Sequence, residues 1–582
     1  MKNNFKKYLI FKNQTIKKVL QIFQDSADSK LPAGIAIVIN KKKKVIGSIS
    51  EGDIRRALLN GYALEDSIEN LYEKNPICFN ENYSYKEILE QIPHELMKRN
   101  RKSHKYLNKI IIINNIGNLV KVISYHELWE QKVATHRHIV VLGLGYVGLT
   151  LSLVLSEEGF FVTGVDSDKS KVDKLRNKKS YVYEKGISKI LNDQLGKNFI
   201  PTTEIPNEGD VYIISVGTPV TNNKNRKSPK PILGYIKEIS IQVGKKLTPG
   251  NLVILRSTVP IGLSRDFIIP LLEKHSQLKC GNDFHLAFAP ERTAEGKAIS
   301  ELRELPQIIG GINEESAHAA AALFRELTST IVRVSSLEAA EMVKLVNNTY
   351  RDMVFSYSNY ITQISAQYNI DIFEIIRAAN QGYPRDKVPF PSPGVGGPCL
   401  TKDPYIFSTA VKESSPPSMS FFEYGRYINE NMHKMISDRV KSEILKIGKK
   451  INSCKILVCG LAFKGNPETG DVRNSSAVEI YKILEKYTNN IFGHDPIALK
   501  EDIKNIGVKP VIFEDGIRDA DIILFLNNNT FYEKLNISKV VNKMAQNPII
   551  FDGWHLFRSD DILNNRQGTY INLSQIIKSK SK

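Results

Sequence analysis

Short apolar runs, set off by glycine turns and polar stretches, recur along most of the chain. Ile35-Ala-Ile-Val-Ile-Asn40 has the form of a buried strand, a turn of lysines follows, and Val45–Ser50 reads as its hairpin partner. Gly52-Asp53 then opens a helix over Ile54–Leu59. The pattern returns further on. Lys109–Asn114 predicts a strand, Asn115–Asn118 a turn, Leu119–Ser124 a strand and Tyr125–Trp129 a helix start. Two copies of strand–turn–strand–helix predict an internal duplication over residues 1–133.

A polar connection over Gln131–Arg137 leads to a strand at His138–Leu142. Gly143-Leu144-Gly145-Tyr146-Val147-Gly148 follows at once, then a helix over Leu149–Glu158, a glycine, and a strand over Phe161–Val165 that ends at Asp166. Glycines so placed permit a tight turn, close approach of a pyrophosphate and helix–strand packing, and the helix N-terminus receives the phosphates. An acidic residue about 20 positions on takes ribose hydroxyls, which favours NAD over NADP.

Further strands keep an α/β rhythm. Asp210–Ser215 runs into Gly217 and Thr218, Leu252–Ser257 into Thr258, and Leu286–Ala289 into Glu291 and Arg292. Polar groups beyond strand C-termini are where open α/β sheets bind ligands, although each alone serves equally as a cap or turn. Residues 337–370 form a long helical stretch in which Lys344 and Asn348 share a face, and an ordinary solvated face satisfies that spacing too. From residue 450 a second βαβ unit begins. Its strands are Cys454–Gly460, Ile491–Pro496, Asp521–Leu526 and Pro548–Asp552, with a helix from Ser475. It lacks GxGxxG, so a mononucleotide group suits it better. The expected fold is α/β: two Rossmann-like doubly wound domains (138–332 and 450–582) joined by a long central helix within 333–445. A smaller α+β module at 1–133 precedes them.

Composition narrows the function. With 582 residues the chain has room for three or four domains. The net charge of +18 comes from lysines interleaved with acids, with only short runs at Lys41–Lys44 and Lys578–Lys582. That reads as solvated surface, and next as attraction for an anionic small molecule; no nucleic-acid motif accompanies it. The five cysteines (78, 280, 399, 454, 459) form neither CxxC pairs nor a metal spacing. Their odd number points to a reducing, cytoplasmic setting and to no metal. No apolar segment follows the basic N-terminus, as a signal peptide requires. The apolar run Ile139–Leu155 approaches membrane-span length, but its three glycines at turn spacing, Thr150 and Ser152 argue against membrane insertion.

The densest chemistry lies in Gly394-Val395-Gly396-Gly397-Pro398-Cys399-Leu400-Thr401-Lys402-Asp403. A helix beginning near Cys399 would set Cys399 and Asp403 on one face. A helix N-terminus and Lys402 would both lower the thiol pKa and prepare a nucleophile. A buried structural cysteine on a turn fits this stretch equally well.

Ordered motifs decide between these. GLGYVGL (143–149), SVGTPV (215–220), RSTVP (256–260), PERTAEG (290–296), EMVKLVNNTYR (341–351), GVGGPCLTKDP (394–404) and GLAFKG (460–465) together resemble the UDP-glucose/GDP-mannose dehydrogenase family of NAD-dependent oxidoreductases. The resemblance implies a four-electron oxidation of a sugar C6 alcohol to an acid, with two NAD reduced. It makes Cys399 the nucleophile that forms a thiohemiacetal and then a thioester. Lys344 and Asn348 are implied to stabilise the oxyanion and position a water, Asp403 to move a proton, and Glu291 and Thr258 to complete the acid–base group. The cofactor residues implied are Gly143, Gly145, Tyr146, Val147, Gly148, Asp166, Gly217, Thr218, Thr258, Glu295, Lys402 and Arg473. The sugar nucleotide is implied to meet Glu291, Arg292, Lys344, Asn348, the Val388–Ser392 loop with Phe390, Gly396 and Lys464. Arg292 directly after Glu291 resembles the UDP-N-acetylhexosamine branch (UDP-GlcNAc or UDP-ManNAc), whereas Glu295-Gly296 is shared with the UDP-glucose type. The family also implies a homodimer or larger homo-oligomer. Residues 47–56, Gly-Ser-Ile-Ser50-Glu-Gly-Asp53-Ile-Arg-Arg, resemble a CBS domain, and the duplication a CBS pair. Ser50 and Asp53 would then hold a regulatory nucleotide, while Lys121, Ser124 and Glu127 alter the second copy. The alternatives are a two-electron dehydrogenase with no use for Cys399 and a non-catalytic NAD or sugar-nucleotide sensor.

Overall fold

The computed structural model describes residues 7–28, 34–83, 87–88, 91–92, 95–96, 98, 109–124, 137–221, 229–410, 420–558, 562 and 568–576. The expected helix start at Tyr125–Trp129 with Glu127, the connection before Arg137 and the Lys578–Lys582 run lie outside them.

The N-terminal module carries the same small sheet twice. In the first, β1 (Leu9–Phe11) pairs parallel with β2 (Ile35–Ile39), which pairs antiparallel with β3 (Val45–Ser50). In the second, β4 (Cys78–Asn80), β5 (Lys109–Ile113) and β6 (Leu119–Ser124) repeat that order and those directions. Both hairpins shift register at the same place, between Val38 and Ile39 and between Ile112 and Ile113. Asn40 and Asn114 each fold their turn by accepting two backbone N–H groups on the side-chain oxygen, the local mimicry that makes Asn a turn residue. Ile35, Ile37 and Ile39 share one core with Ile111, Leu119 and Val122, while α1 (Ile16–Asp28) and α2 (Glu51–Leu59) cover the other face of the first sheet with Ile16, Val19, Phe23 and Ile54.

The next domain is an eight-stranded sheet of β7 (His138–Leu142), β8 (Phe161–Val165), β9 (Phe199–Thr202), β10 (Val211–Ile214), β11 (Leu252–Leu255), β12 (His285–Phe288), β13 (Gln307–Gly311) and β14 (Ile331–Arg333). Its order is β14-β13-β12-β11-β10-β7-β8-β9, with only the β12–β13 pair antiparallel. From β9 to β12 the strands follow the 3-2-1-4-5-6 order of a dinucleotide fold, and the order reverses between β7 and β10. Alternate residues of β7 enter cores on opposite faces, Ile139 and Val141 on one and Val140 and Leu142 on the other. The helix after β7, α3 (Tyr146–Glu157), starts three residues before the expected Leu149 and buries Leu149, Leu151, Leu153, Val154 and Leu155 completely. The long apolar run is therefore strand, turn and core helix. Among the described residues no helix is long and apolar enough to cross a membrane.

The central segment is built on α4 (Leu337–Gln367), whose N-terminus Ser336 caps by accepting from Ala339 N. After α5 (Ile372–Asn380) an extended loop leads to two short helices, α6 (Gly397–Leu400) and α7 (Asp403–Ser408). A long return helix, α8 (Phe421–Lys446), then packs along α4. The last domain is a five-stranded parallel sheet of β15 (Ile456–Cys459), β16 (Ile491–His494), β17 (Ile522–Phe525), β18 (Ile549–Asp552) and β19 (Thr569–Asn572) in the order β16-β15-β17-β18-β19. Its order reverses between β15 and β17, where a Cβ on Gly460 would stand 2.5 Å from the Asn527 side chain.

Candidate active site

At the first reversal point each glycine of the turn has a separate physical reason. Gly143 holds φ +93°, and a Cβ there would come 2.9 Å from the Ser215 carbonyl oxygen. At Gly148 a Cβ would meet the Gly143 carbonyl oxygen at 1.9 Å, so α3 packs on the turn only without a side chain. Around Gly145 a Cβ would meet nothing within 4 Å, and no side chain caps α3 from that position. That combination is an open cradle at a helix N-terminus, suited to phosphate. Val147 stands half-buried in the first turn of α3. Asp166, just past β8, accepts from Leu144 N at 2.9 Å and from Asp168 N at 2.9 Å, which fixes its carboxylate beside the turn. Beyond β10, Gly217 is exposed beside open space, and the buried Thr218 hydroxyl has no hydrogen-bond partner among the described residues. An open cradle, an oriented acid and an unpaired buried hydroxyl fit a dinucleotide.

The catalytic candidates gather across the cleft. Lys344, buried on α4, donates to the Glu291 carboxylate at 3.0 Å and to the Glu291 carbonyl at 2.6 Å. One turn on, Asn348 donates to Asp403 at 2.6 Å, and Lys402 donates to the other Asp403 oxygen at 2.5 Å. The face carrying Lys344 is thus an interior one, not a solvated one. Burial alone would lower the Lys344 pKa, but Glu291, Cys399 and Asp403 outweigh it and raise it. Burial alone would raise Glu291, but Lys344 and Arg256 hold it below the usual carboxylate range. Arg256 was not among the expected site residues. It is buried just past the end of β11 and donates to the Ala289 carbonyl at 3.1 Å and to Gln307 at 3.0 Å; its sequence signals are a charge closing an apolar strand and its place at the head of the RSTVP motif. Thr258 lies half-buried just beyond it.

Two expectations about Cys399 need correction. No single helix carries it together with Asp403, because the chain breaks at Thr401-Lys402 and Asp403 begins its own helix, α7. Nor is the thiol pKa lowered. Cys399 is half-buried, and burial first and Asp403 second push it up to about 11, against the pull of Lys344 and Lys402. The reading from helix end and lysine left out the desolvation and the buried carboxylate, which dominate.

A second cluster joins the two sheets' domains. Glu295 accepts from the Thr469 hydroxyl at 3.0 Å and lies 3.8 Å from Arg473. Burial, with Asp471 next, pushes its pKa up to about 7. Arg473 is paired with Asp471. Lys464 donates to the Glu295 carbonyl at 2.8 Å, and burial lowers its pKa. The Tyr146 phenol, paired with Glu184, accepts from Gly296 N at 2.8 Å, which ties α3 to the same turn. Arg292 donates to the Pro306 carbonyl at 2.9 Å. In the 388–392 loop, Val388 is pinned through both backbone groups to Asn380, Phe390 leans on Phe373 with ring centroids 5.6 Å apart, and the Ser392 amide donates to Asn359. Gly396 lies too close to the Asn474 carbonyl for any side chain, a Cβ there falling 2.2 Å away. In the N-terminal module Ser50 and Asp53 form a capping box at α2, and Asp53 is paired with Arg56.

Sequence models of the UDP-glucose/GDP-mannose dehydrogenase family match three successive stretches: the NAD binding domain at 137–328, the central domain at 338–431 and the UDP binding domain at 457–559. A CBS domain model matches residues 7–60. A UDP-N-acetyl-D-mannosamine dehydrogenase of Pyrococcus horikoshii is 30% identical over 427 residues, which cover 73% of this chain and 97% of the relative. A second protein of that name, from Campylobacter jejuni, is 30% identical over 415 residues, 69% of this chain and 98% of its own. The solved UDP-D-ManNAc dehydrogenase from Pyrococcus horikoshii superposes with TM-score 0.66 at 28% identity, over 75% of this chain and 99% of its own. With the glycine cradle, the paired Lys344 and Glu291 and the cysteine loop in place, the chain belongs to the UDP-glucose/GDP-mannose dehydrogenase family, as an NAD-dependent nucleotide-sugar dehydrogenase with a CBS domain at its N-terminal end.

Proposed function

We propose that this chain oxidises the C6 hydroxyl of UDP-N-acetyl-D-mannosamine to a carboxylate through a covalent bond to Cys399. The observation that supports this reading most is the cluster of Cys399 with Lys344, Asn348, Asp403 and Glu291, drawn from three distant stretches of chain. The cradle of Gly143, Gly145 and Gly148, with Asp166, Thr218, Glu295, Lys402 and Arg473, would hold NAD, which supplies the acceptor for hydride when bound. Lys344 and Asn348 stabilise negative charge developing on the C6 oxygen. After the first oxidation the aldehyde carbon carries no tetrahedral C–H bond. Addition of the Cys399 sulfur restores one: a C–S bond forms as the C=O π bond breaks, and the thiol proton passes by way of Asp403 to the carbonyl oxygen. The second oxidation leaves a thioester. Water, positioned by Asn348 and Lys344 with Glu291 and Thr258 in the acid–base group, forms a C–O bond to the thioester carbon as the C–S bond breaks, and a proton of that water returns to the sulfur.

Glu291, Arg292, the Val388–Ser392 loop with Phe390, Gly396 and Lys464 would contact the sugar nucleotide. Arg292 after Glu291 favours a UDP-N-acetylhexosamine over UDP-glucose, and the names of the relatives favour UDP-ManNAc over UDP-GlcNAc. The two repeated sheets act as a CBS pair holding a regulatory nucleotide near Ser50 and Asp53. Two copies associate through Val346, Tyr350, Tyr357, Tyr360 and Ile364, which are exposed along one side of α4. The reaction runs in the cytoplasm, where the five free cysteines stay reduced.

Initial rates on the three UDP-sugars test the substrate assignment. A kcat/KM at least tenfold higher for UDP-ManNAc is expected, and a preference for UDP-glucose or UDP-GlcNAc contradicts it. Repeating the assay with adenine, cytidine and uridine nucleotides tests the regulation, which identical rates throughout would refute.

A further inference from the structure

Arg426, on α8, is fully buried, and each of its nitrogens has a partner. Nη1 pairs with Asp352 of α4 at 2.5 Å and makes a longer 3.5 Å contact to the Leu400 carbonyl. Nη2 donates to the Val395 carbonyl at 2.6 Å, and Nε to Glu430 at 3.2 Å. Asn429, on the same helix, donates to the Asp352 carbonyl at 3.0 Å and carboxylate at 2.9 Å. Its own side-chain oxygen accepts from Asn359, whose oxygen accepts from the Ser392 amide at 2.9 Å. The backbone is thus held at 392 and 395 before Cys399 and at 400 after it. The anchor on the other side, Asp352, lies one turn beyond Asn348 and two beyond Lys344 on the same face of α4.

A buried ion pair is a poor device for stability, since apolar replacements of like volume often do as well. What this pair supplies is geometry: planar guanidinium donors in a fixed fork that fasten two loop carbonyls and one helix together. We propose that Arg426, oriented by Asp352 and Asn429, is a positioning residue that sets the Cys399 sulfur against the carbon presented by Lys344 and Asn348. The catalytic consequence rests on the covalent reading above. The first oxidation does not involve the sulfur and the second does, so loosening the loop should act on the second alone.

The test is Arg426→Lys in the full chain, which keeps a cation for Asp352 but cannot reach both carbonyls. The expected result is NADH per sugar falling from two toward one, with aldehyde trapped by hydroxylamine. The first-oxidation rate should stay within about threefold of wild type, and alkylation of Cys399 by iodoacetamide should change at least fivefold. Asp352→Asn, which retains an acceptor oxygen, should keep a ratio near two. If Arg426→Lys does not fold, Asn429→Ala carries the test with the same readouts. Both oxidations falling in parallel, with an unchanged ratio and alkylation rate, would overturn the proposal. Wild type yielding one NADH would instead remove the covalent reading, and the alkylation rate would still decide the positioning role.

Discussion

Two buried charges set the character of the site before substrate arrives. Lys344 and Glu291 are each only 8% exposed at the side chain and lie 3.0 Å apart. At an effective dielectric of about 20, charges about 4 Å apart attract by about 4 kcal/mol, and removing one partner of such a buried pair costs about 3–5 kcal/mol. The cation therefore stays in place, where the proposed reaction would develop negative charge. Cys399 is poised differently. With its pKa near 11 rather than 9.0, its thiolate fraction at neutral pH is about 100-fold smaller than that of an ordinary thiol. Alkylation of Cys399 by iodoacetamide in the absence of ligands should be slow at pH 7 and rise with a midpoint near pH 11; a midpoint at or below 8 would contradict this account. The sequence around Cys399 suggested the reverse because it displays Lys402 and a helix start, but not the burial that opposes them. Lys344 and Asn348 were legible as sharing a face. Their partners Glu291 and Asp403, 53 and 55 residues away, were not legible from spacing. Arg426 carries no local mark at all, since an arginine within a helix reads as a surface residue until α4 is seen against it.

The long helix α4 does two jobs with two faces. One carries Lys344, Asn348, Asp352 and Asn359 inward. The other leaves Val346, Tyr350, Tyr357, Tyr360, Ile364 and Tyr368 exposed, Tyr350 at 67% and Tyr368 at 72%. At 100° per residue these fall on one stripe, and Phe421, Tyr424 and Tyr427 of α8 are exposed too. Contiguous aromatic surface of this kind is the face on which the proposed association rests. Sedimentation velocity should show a dimer or larger assembly for the wild type and a monomer for Tyr350→Glu combined with Tyr357→Glu. A wild type that sediments as a monomer at micromolar concentration would refute this interface. The helix itself was readable from its length and periodicity. Its exposed stripe was not, because an apolar position looks the same whether it faces a core or a partner.

At the scale of the molecule, two sheets, one wholly and one mostly parallel, bring their strand ends toward one another, and Glu295, Lys464, Thr469 and Arg473 tie one domain to the other. The alternation of apolar strand, glycine turn and helix made the central strands of both sheets and the duplicated N-terminal hairpins readable, since each rests on local periodicity, whereas β9, β13, β14 and β19 were not read. Strand order and the meeting of the domains depend on contacts distant in sequence and came from the family resemblance or from the structure. The claim at the centre of this arrangement is that one cleft performs two successive oxidations on one carbon because Cys399 holds it between them. The most direct measurement is NADH formed per UDP-ManNAc consumed, for wild type and for Cys399→Ala. Two per sugar with the uronic acid as product, falling to one or fewer without the acid in the variant, is the predicted result. One per sugar in the wild type, or two in the variant, would contradict it.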